Sequence, residues 1–230
     1  MLRLLPLVTG LLPIVAIHSS LAIAIVAGVF PPCFPYVDGC VSISATGRYP
    51  PSTFVFKAAM MSEWVIMVLY WLASAAWLRA LNRAAGGNGK PGAVMAALGV
   101  AGALALIIYV TFLGTDGPVY NFMRRFGVYL YFLFTVVAQI LLARNSLSLA
   151  RTLRLPSVAR VARVQLGLAL VPFALGALNL LLKATLADPD PAENMIEWAF
   201  ALLMHVYFLL TYVTWRDTGF DSRFEVTVHR

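Results

Sequence analysis

Six long apolar runs separated by polar stretches organise the chain, at about residues 4–30, 58–78, 93–113, 118–143, 164–186 and 195–215. Each is close to the roughly 20 residues a helix needs to cross the hydrocarbon core of a bilayer. The first begins just after Arg3, as a signal peptide would. It is well over the 7–15 residues of a signal h-region, so it reads as a membrane span. The pattern predicts an all-α membrane protein, a single domain over residues 1–230 built as a six-helix transmembrane bundle. The third run is rich in small residues (Ala93, Ala96, Ala97, Gly99, Gly102, Ala103), which let helix backbones approach closely. Pro13 and Pro172 fall inside spans, where they bend a helix and free carbonyls. No internal repeat of the inverted-transporter kind is evident.

The longest connection, about 31–53, contains Pro31, Pro32, Pro35, Pro50 and Pro51. This density of proline forbids a long helix and favours extended segments and turns. The same stretch carries Phe34, Tyr36, Val37, Val41, Ile43 and Tyr49. A loop this apolar is expected to fold back on the helix ends as a cap on the extracytoplasmic side.

The loop charges set an orientation. Arg3 precedes the first span; Arg79, Arg83 and Lys90 separate the second and third; Arg144, Arg151, Arg154, Arg160 and Arg163 separate the fourth and fifth; Arg216, Arg223 and Arg230 follow the sixth. Twelve of 17 basic residues thus share one side, while the other holds Asp38, Asp116, Asp188, Asp190 and Glu193, with Arg48 its one basic loop residue. Basic loops stay in the cytoplasm, which places both termini there, in an inner or plasma membrane. Cys33 and Cys40, the two cysteines of the chain, fall in the outer loop. An oxidising compartment permits a disulfide between them, although spacing alone does not show that the geometry fits.

Composition agrees: 61% of residues are hydrophobic and 12% charged, with a mean hydropathy of +0.83. A soluble domain carries roughly 25% charged residues. The net charge of +7 reads as retained cytoplasmic loops rather than as nucleic-acid binding. No phosphate-binding Gly-rich motif, zinc-type Cys/His spacing or Gly-x-Ser-x-Gly elbow is present, so neither a cofactor nor a metal is expected.

The segment Ser42-Ile43-Ser44-Ala45-Thr46-Gly47-Arg48-Tyr49-Pro50-Pro51-Ser52-Thr53-Phe54-Val55-Phe56, with Phe34-Pro35-Tyr36 ahead of it, resembles the outer-loop signature of the FRAG/DRAM/Sfk family. In that family an Ile-Ser pair, a Gly, one or two prolines and a Phe lead into the second span. The six-span layout is similar over nearly the whole chain, and sharp motif agreement covers about 25 residues. The resemblance implies a role linked to membrane lipid: members remodel the lipid of GPI anchors, modulate autophagy, or act in phosphoinositide kinase recruitment and lipid asymmetry. The chain departs from the family where a His would precede a Gly near the outer end of the fourth span; Arg124-Arg125-Phe126-Gly127 stands there.

Ionisable residues within spans cost about 2.5–3.5 kcal/mol each at the bilayer centre on insertion scales, so they tend to face one another or a wet cavity. Here Glu63, Asn121, Arg124, Arg125 and Glu197 all fall toward the outer half of their spans, and His18 and His205 lie near mid-span. Asn121 and Arg125 are four apart and share a helical face. Glu197 and His205, eight apart, lie within about 80° of each other. Lys57 and Lys183, at outer helix ends, are expected to reach headgroups.

These residues support several readings. Glu63, Asn121, Arg124, Arg125, Glu197 and His205 are candidates for a pocket that binds or helps remodel lipid headgroups, with membrane lipids as partners and no protein partner readable. Pairing of the acids with the arginines as structural salt bridges is the plain alternative. An integral membrane lipid hydrolase or acyltransferase is another, with His205 and Glu197 as base and Ser44, Ser42 or Ser62 as hydroxyl. A proton-coupled transporter using the mid-span histidines is the weakest reading.

Overall fold

The computed structural model of the chain describes residues 2–221, so Arg223 and Arg230 lie outside the described residues. After a short 3-10 turn at Leu2–Leu4 the helices run α1 (Leu5–Val26), α2 (Pro35–Asp38), α3 (Ile43–Thr46), α4 (Ser52–Ala84), α5 (Ala93–Thr111), α6 (Pro118–Thr152), α7 (Pro156–Thr185) and α8 (Asp190–Asp217). Among the described residues there is no strand, and six helices are long and apolar enough to cross a membrane. The chain is an integral multi-pass membrane protein.

The boundaries differ from the apolar runs in an informative way. Helix α1 stops at Val26, although the sequence stays apolar to Phe30, because Gly28 turns into the left-handed region at φ 73°. The Val29 amide then closes on the Ala24 carbonyl at 2.9 Å and ends the helix. Helices α4 and α6, in contrast, run 33 and 35 residues, well past their apolar cores. At ~1.5 Å per residue each is about 50 Å long, so both project into the headgroup region.

The long helices form a ring. Each packs on its sequence neighbour, and α8 closes the ring against α1. Side chains of α4, α6, α7 and α8 cross the interior and are tied by hydrogen bonds. The Tyr70 and Thr211 hydroxyls meet at 2.9 Å, Tyr207 Oη donates to the Gln139 carbonyl at 2.6 Å, and the Gln139 amide donates to the Met204 carbonyl at 2.8 Å. Gln165 on α7 donates to Thr211 at 2.9 Å. Around them Tyr70, Trp71, Tyr207, Phe208 and Trp215 are fully buried. In lipid there is no water to serve these polar groups outside the bundle, so each bond fixes the rotation of a helix about its axis; such bonds contribute about 0.6 kcal/mol on average.

The small residues of α5 are packing devices, as their composition suggests. A Cβ on Gly99 would enter the Trp71 ring, and one on Gly102 would come within 2.9 Å of Thr135 Oγ1. Gly127 on α6 returns the approach: its Cβ would stand 2.5 Å from the Tyr109 amide nitrogen. Helix α7 is the most outward-facing, with Leu170, Phe173, Leu180 and Leu181 exposed. In a membrane these side chains face acyl chains.

Candidate functional site

Between α1 and α4 the chain makes two one-turn helices rather than the extended run its prolines suggest, since Pro35 starts α2 at a position where a missing amide costs nothing. Cys33 and Cys40 bracket α2 at disulfide distance, with Cα atoms 6.5 Å apart. Gly39 occupies the left-handed region at φ 59° and lies flush against the Pro191 backbone, so no larger residue fits. Three further contacts fasten the loop to the bundle. The Asn194 amide donates to the Gly39 carbonyl at 2.8 Å, Trp198 Nε1 donates to the Val41 carbonyl at 2.9 Å, and Tyr36 meets His18 of α1.

His18 and His205 share one arrangement. Nδ1 of each lies against the carbonyl four residues earlier, Ile14 at 2.7 Å and Ala201 at 2.6 Å. A carbonyl accepts only, so in the neutral ring Nδ1 carries the proton and Nε2 is left as acceptor. A tyrosine hydroxyl then donates to it: Tyr36 to His18 at 3.0 Å and Tyr131 to His205 at 3.3 Å. Burial pushes the Tyr36 phenol above its ordinary value, which keeps it a donor.

Below α3 a narrow cleft enters the ring. Ile43 covers it, Glu197 borders it, and Tyr131 and His205 line its inner part among apolar side chains. Its volume of ≈ 30 Å³ has room for about two waters. At the mouth, Glu197 faces the backbone amides of Ile43 and Ser44, which open α3, and lies in the field of Arg48. Arg124 in turn lies in the field of Arg48, Tyr109 and Glu197. Arg48 Nη2 donates to Ser44 Oγ at 2.9 Å, whereas its Nε is buried and bonds to nothing. Ser42 Oγ caps α3 by accepting from the Ala45 amide at 3.2 Å and lies 3.3 Å from Ser44 Oγ.

The structure therefore brings some of the sequence candidates together and separates others. Glu197 and His205 share the cleft, and Arg124 is half-buried beside its mouth. Asn121 and Arg125 do share a face of α6, but an exposed one. Glu63 is fully buried on α4 in the electrostatic neighbourhood of Tyr131, and neither carboxylate oxygen has a hydrogen-bond partner. Among the described residues neither Glu63 nor Glu197 lies within ion-pair distance of Arg124 or Arg125; the pairs formed are Arg3–Asp221, Lys183–Glu193 and Arg216–Asp217. Lys183 thus meets Glu193 at 2.8 Å, and Lys57 is half-buried on α4. The alternative of a structural salt-bridge network therefore does not form among the described residues, because depth sets the height of a charge and packing sets its direction. Ser62 is exposed and bonds its own helix at the Ala58 carbonyl. Both ring nitrogens of His205 are occupied by Ala201 and Tyr131, so no candidate hydroxyl is paired with it as base.

Arg48, Tyr109 and Tyr131 were not among the sequence candidates. Arg48 left a signal, as the lone basic residue in the loops of the acidic side. The tyrosines left none, because aromatic residues in spans are ordinary.

A family model described as "Frag1/DRAM/Sfk1/Cwh43P N-terminal domain" matches residues 1–218. No curated protein and no solved structure matches the chain.

Proposed function

The chain belongs to the Frag1/DRAM/Sfk1/Cwh43P N-terminal domain family, and from that premise we propose that it recognises a membrane-lipid headgroup at its cysteine-loop end, on the outer leaflet. The observation that carries this reading is that Arg48, Arg124 and Glu197 lie in one another's electrostatic field at the mouth of the cleft under α3, with Arg125 near Arg124 and Glu193 near Glu197. Three guanidinium groups (Arg48, Arg124, Arg125) and two carboxylates (Glu193, Glu197) leave one positive charge in excess, and a guanidinium fork matches the oxygens of a phosphate. The unbonded Nε of Arg48 is a donor in need of a partner. The cleft is too small for an acyl chain, so the headgroup seats at the mouth, with the loop as its cover and the acyl chains along the exposed face of α6 at Phe122 and Phe126.

Native mass spectrometry of gently solubilised protein tests the site. Arg48→Gln and Arg124→Gln should each reduce co-purified anionic lipid several-fold with the fold retained. Unchanged lipid content in both variants would refute it, and turnover of a retained lipid would point instead to the hydrolase or acyltransferase reading. The orientation is tested by single-cysteine labelling of intact cells, in a background lacking Cys33 and Cys40. Position 193 should label from outside and position 154 should not.

A further inference from the structure

At the opposite end of the bundle a second concavity is lined by Arg79, Arg83, Gly87, Asn88, Gly89 and Lys90, with a volume of ≈ 420 Å³. It owes nothing to the cleft under α3. Arg79 and Arg83 are four apart on α4 and so project from one face of the helix. Like charges at that spacing repel each other. Among the described residues no carboxylate lies within ion-pair distance of either arginine or of Lys90.

The loop that brings Lys90 back to α4 is held in place rather than loose. Helix α4 ends as Gly86 enters the left-handed region at φ 79°, and the Gly87 amide closes on the Asn82 carbonyl at 2.8 Å. The Asn82 side chain then donates to the Gly89 carbonyl at 3.2 Å. A Cβ on Gly87 would stand 2.5 Å from Asn82 Oδ1, so this tie requires glycine there. Height along the helix places the cavity in the membrane. Residues 64–78 of α4 carry no charge, and from Lys57 to Arg79 is 79 − 57 = 22 positions. At ~1.5 Å each that is about 33 Å, close to the thickness of the hydrocarbon core. Arg79 thus lies at the hydrocarbon boundary, and Arg83 and Lys90 lie at the level of headgroups.

We propose that this cavity is a second phosphate site, built by the Asn82-clamped glycine loop, that takes the headgroup of an anionic phospholipid from the leaflet at this end. Three cations and no acid suit a phosphate, the two arginines offer forked donors, and Asn88 adds a neutral one. A volume of this size is in the range of small-ligand pockets. Membrane depth selects a lipid as the source over a free phosphate.

The test uses the whole protein in phosphatidylcholine vesicles containing one-tenth phosphatidic acid, with retained lipid counted by native mass spectrometry. The parent should retain phosphatidic acid over phosphatidylcholine. In an Arg48→Gln/Arg124→Gln background, which removes the site under α3, Arg79→Gln/Arg83→Gln should lower the remaining retention about tenfold, and Arg144→Gln/Arg151→Gln, which removes equal charge from the exposed surface of α6, should lower it less than twofold. Gly87→Ala keeps every charge but drives a Cβ into Asn82, and it should lower retention as well. Equal losses in the two double variants, or full retention in Gly87→Ala, would show diffuse surface charge and overturn the site. A parent that binds inorganic phosphate in detergent and shows no preference for phosphatidic acid would overturn the lipid source.

Discussion

The close backbone approach of α6 to α5 at Gly127 makes Gly127→Ala a sharp test of the packing. The new Cβ would stand 2.5 Å from the Tyr109 amide nitrogen and 2.9 Å from the Ala105 carbonyl oxygen. Ordinary contact begins near 3.4 Å, so the helices must separate by about 3.4 − 2.5 = 0.9 Å. Neither obstacle is a side chain that can turn away. A radial gap of that size forfeits a quarter to a half of each dispersion contact it opens, at ~0.1–0.2 kcal/mol per atom pair. With some tens of pairs along the seam the loss is about 2 kcal/mol, within the usual ~1–3 kcal/mol for overpacking. Gly102→Ala meets the Thr135 hydroxyl at 2.9 Å and the Thr135 amide nitrogen at 3.3 Å, a looser approach, and should cost about 1 kcal/mol. Gly176→Ala meets nothing within 4 Å and should cost nothing, because alanine is the better helix former. Reversible unfolding in mixed micelles, followed by tryptophan fluorescence, gives all three values on one scale. A Gly127→Ala protein within ~0.5 kcal/mol of its parent, or a Gly176→Ala protein that loses as much, would refute the close approach of α5 and α6.

Three further outcomes follow from the loop and the core. Alkylation of protein taken directly from the membrane without reductant should find no free thiol, and Cys33→Ser/Cys40→Ser should lower stability by about 2.5 kcal/mol, the chain-entropy value for so short a ring. Trp198→Phe removes the donor to the Val41 carbonyl while keeping an aromatic ring, so it should cost about 1–3 kcal/mol and open the loop to limited proteolysis; unchanged proteolysis would separate the loop from α8. Glu63→Gln replaces a fully buried carboxyl lacking any hydrogen-bond partner with a neutral group of the same shape, so thermal unfolding should show equal or higher stability, whereas a loss above ~1 kcal/mol would reveal a cation or proton-linked partner at Glu63.

What the sequence determined by itself was whatever lipid enforces along the membrane normal. A chain in hydrocarbon must bond its own backbone, so every apolar run long enough to cross becomes a helix, and six such runs could be counted before any packing was known. Depth was legible for the same reason: Glu197 and His205 were placed two turns apart on one face, and both line the cleft. The pairing of cysteines separated by seven positions was a permitted outcome that the fold of Gly39 and α2 brought to bonding distance. Rotation about each helix axis was not legible, because hydropathy is nearly uniform around a helix surrounded by lipid on one side and by aromatic side chains on the other. Only tertiary contacts decided it. The approach of Gly127 to the Tyr109 backbone accompanies an α6 whose Asn121 and Arg125 face outward and whose Tyr131 faces in. The Gly99–Trp71 contact and the Gln139 and Thr211 bonds do the same for α4 and α8. Arg48, one loop residue among many in the sequence, became part of the candidate site only once Trp198 and Asn194 tied its loop to α8 and set α3 over the cleft.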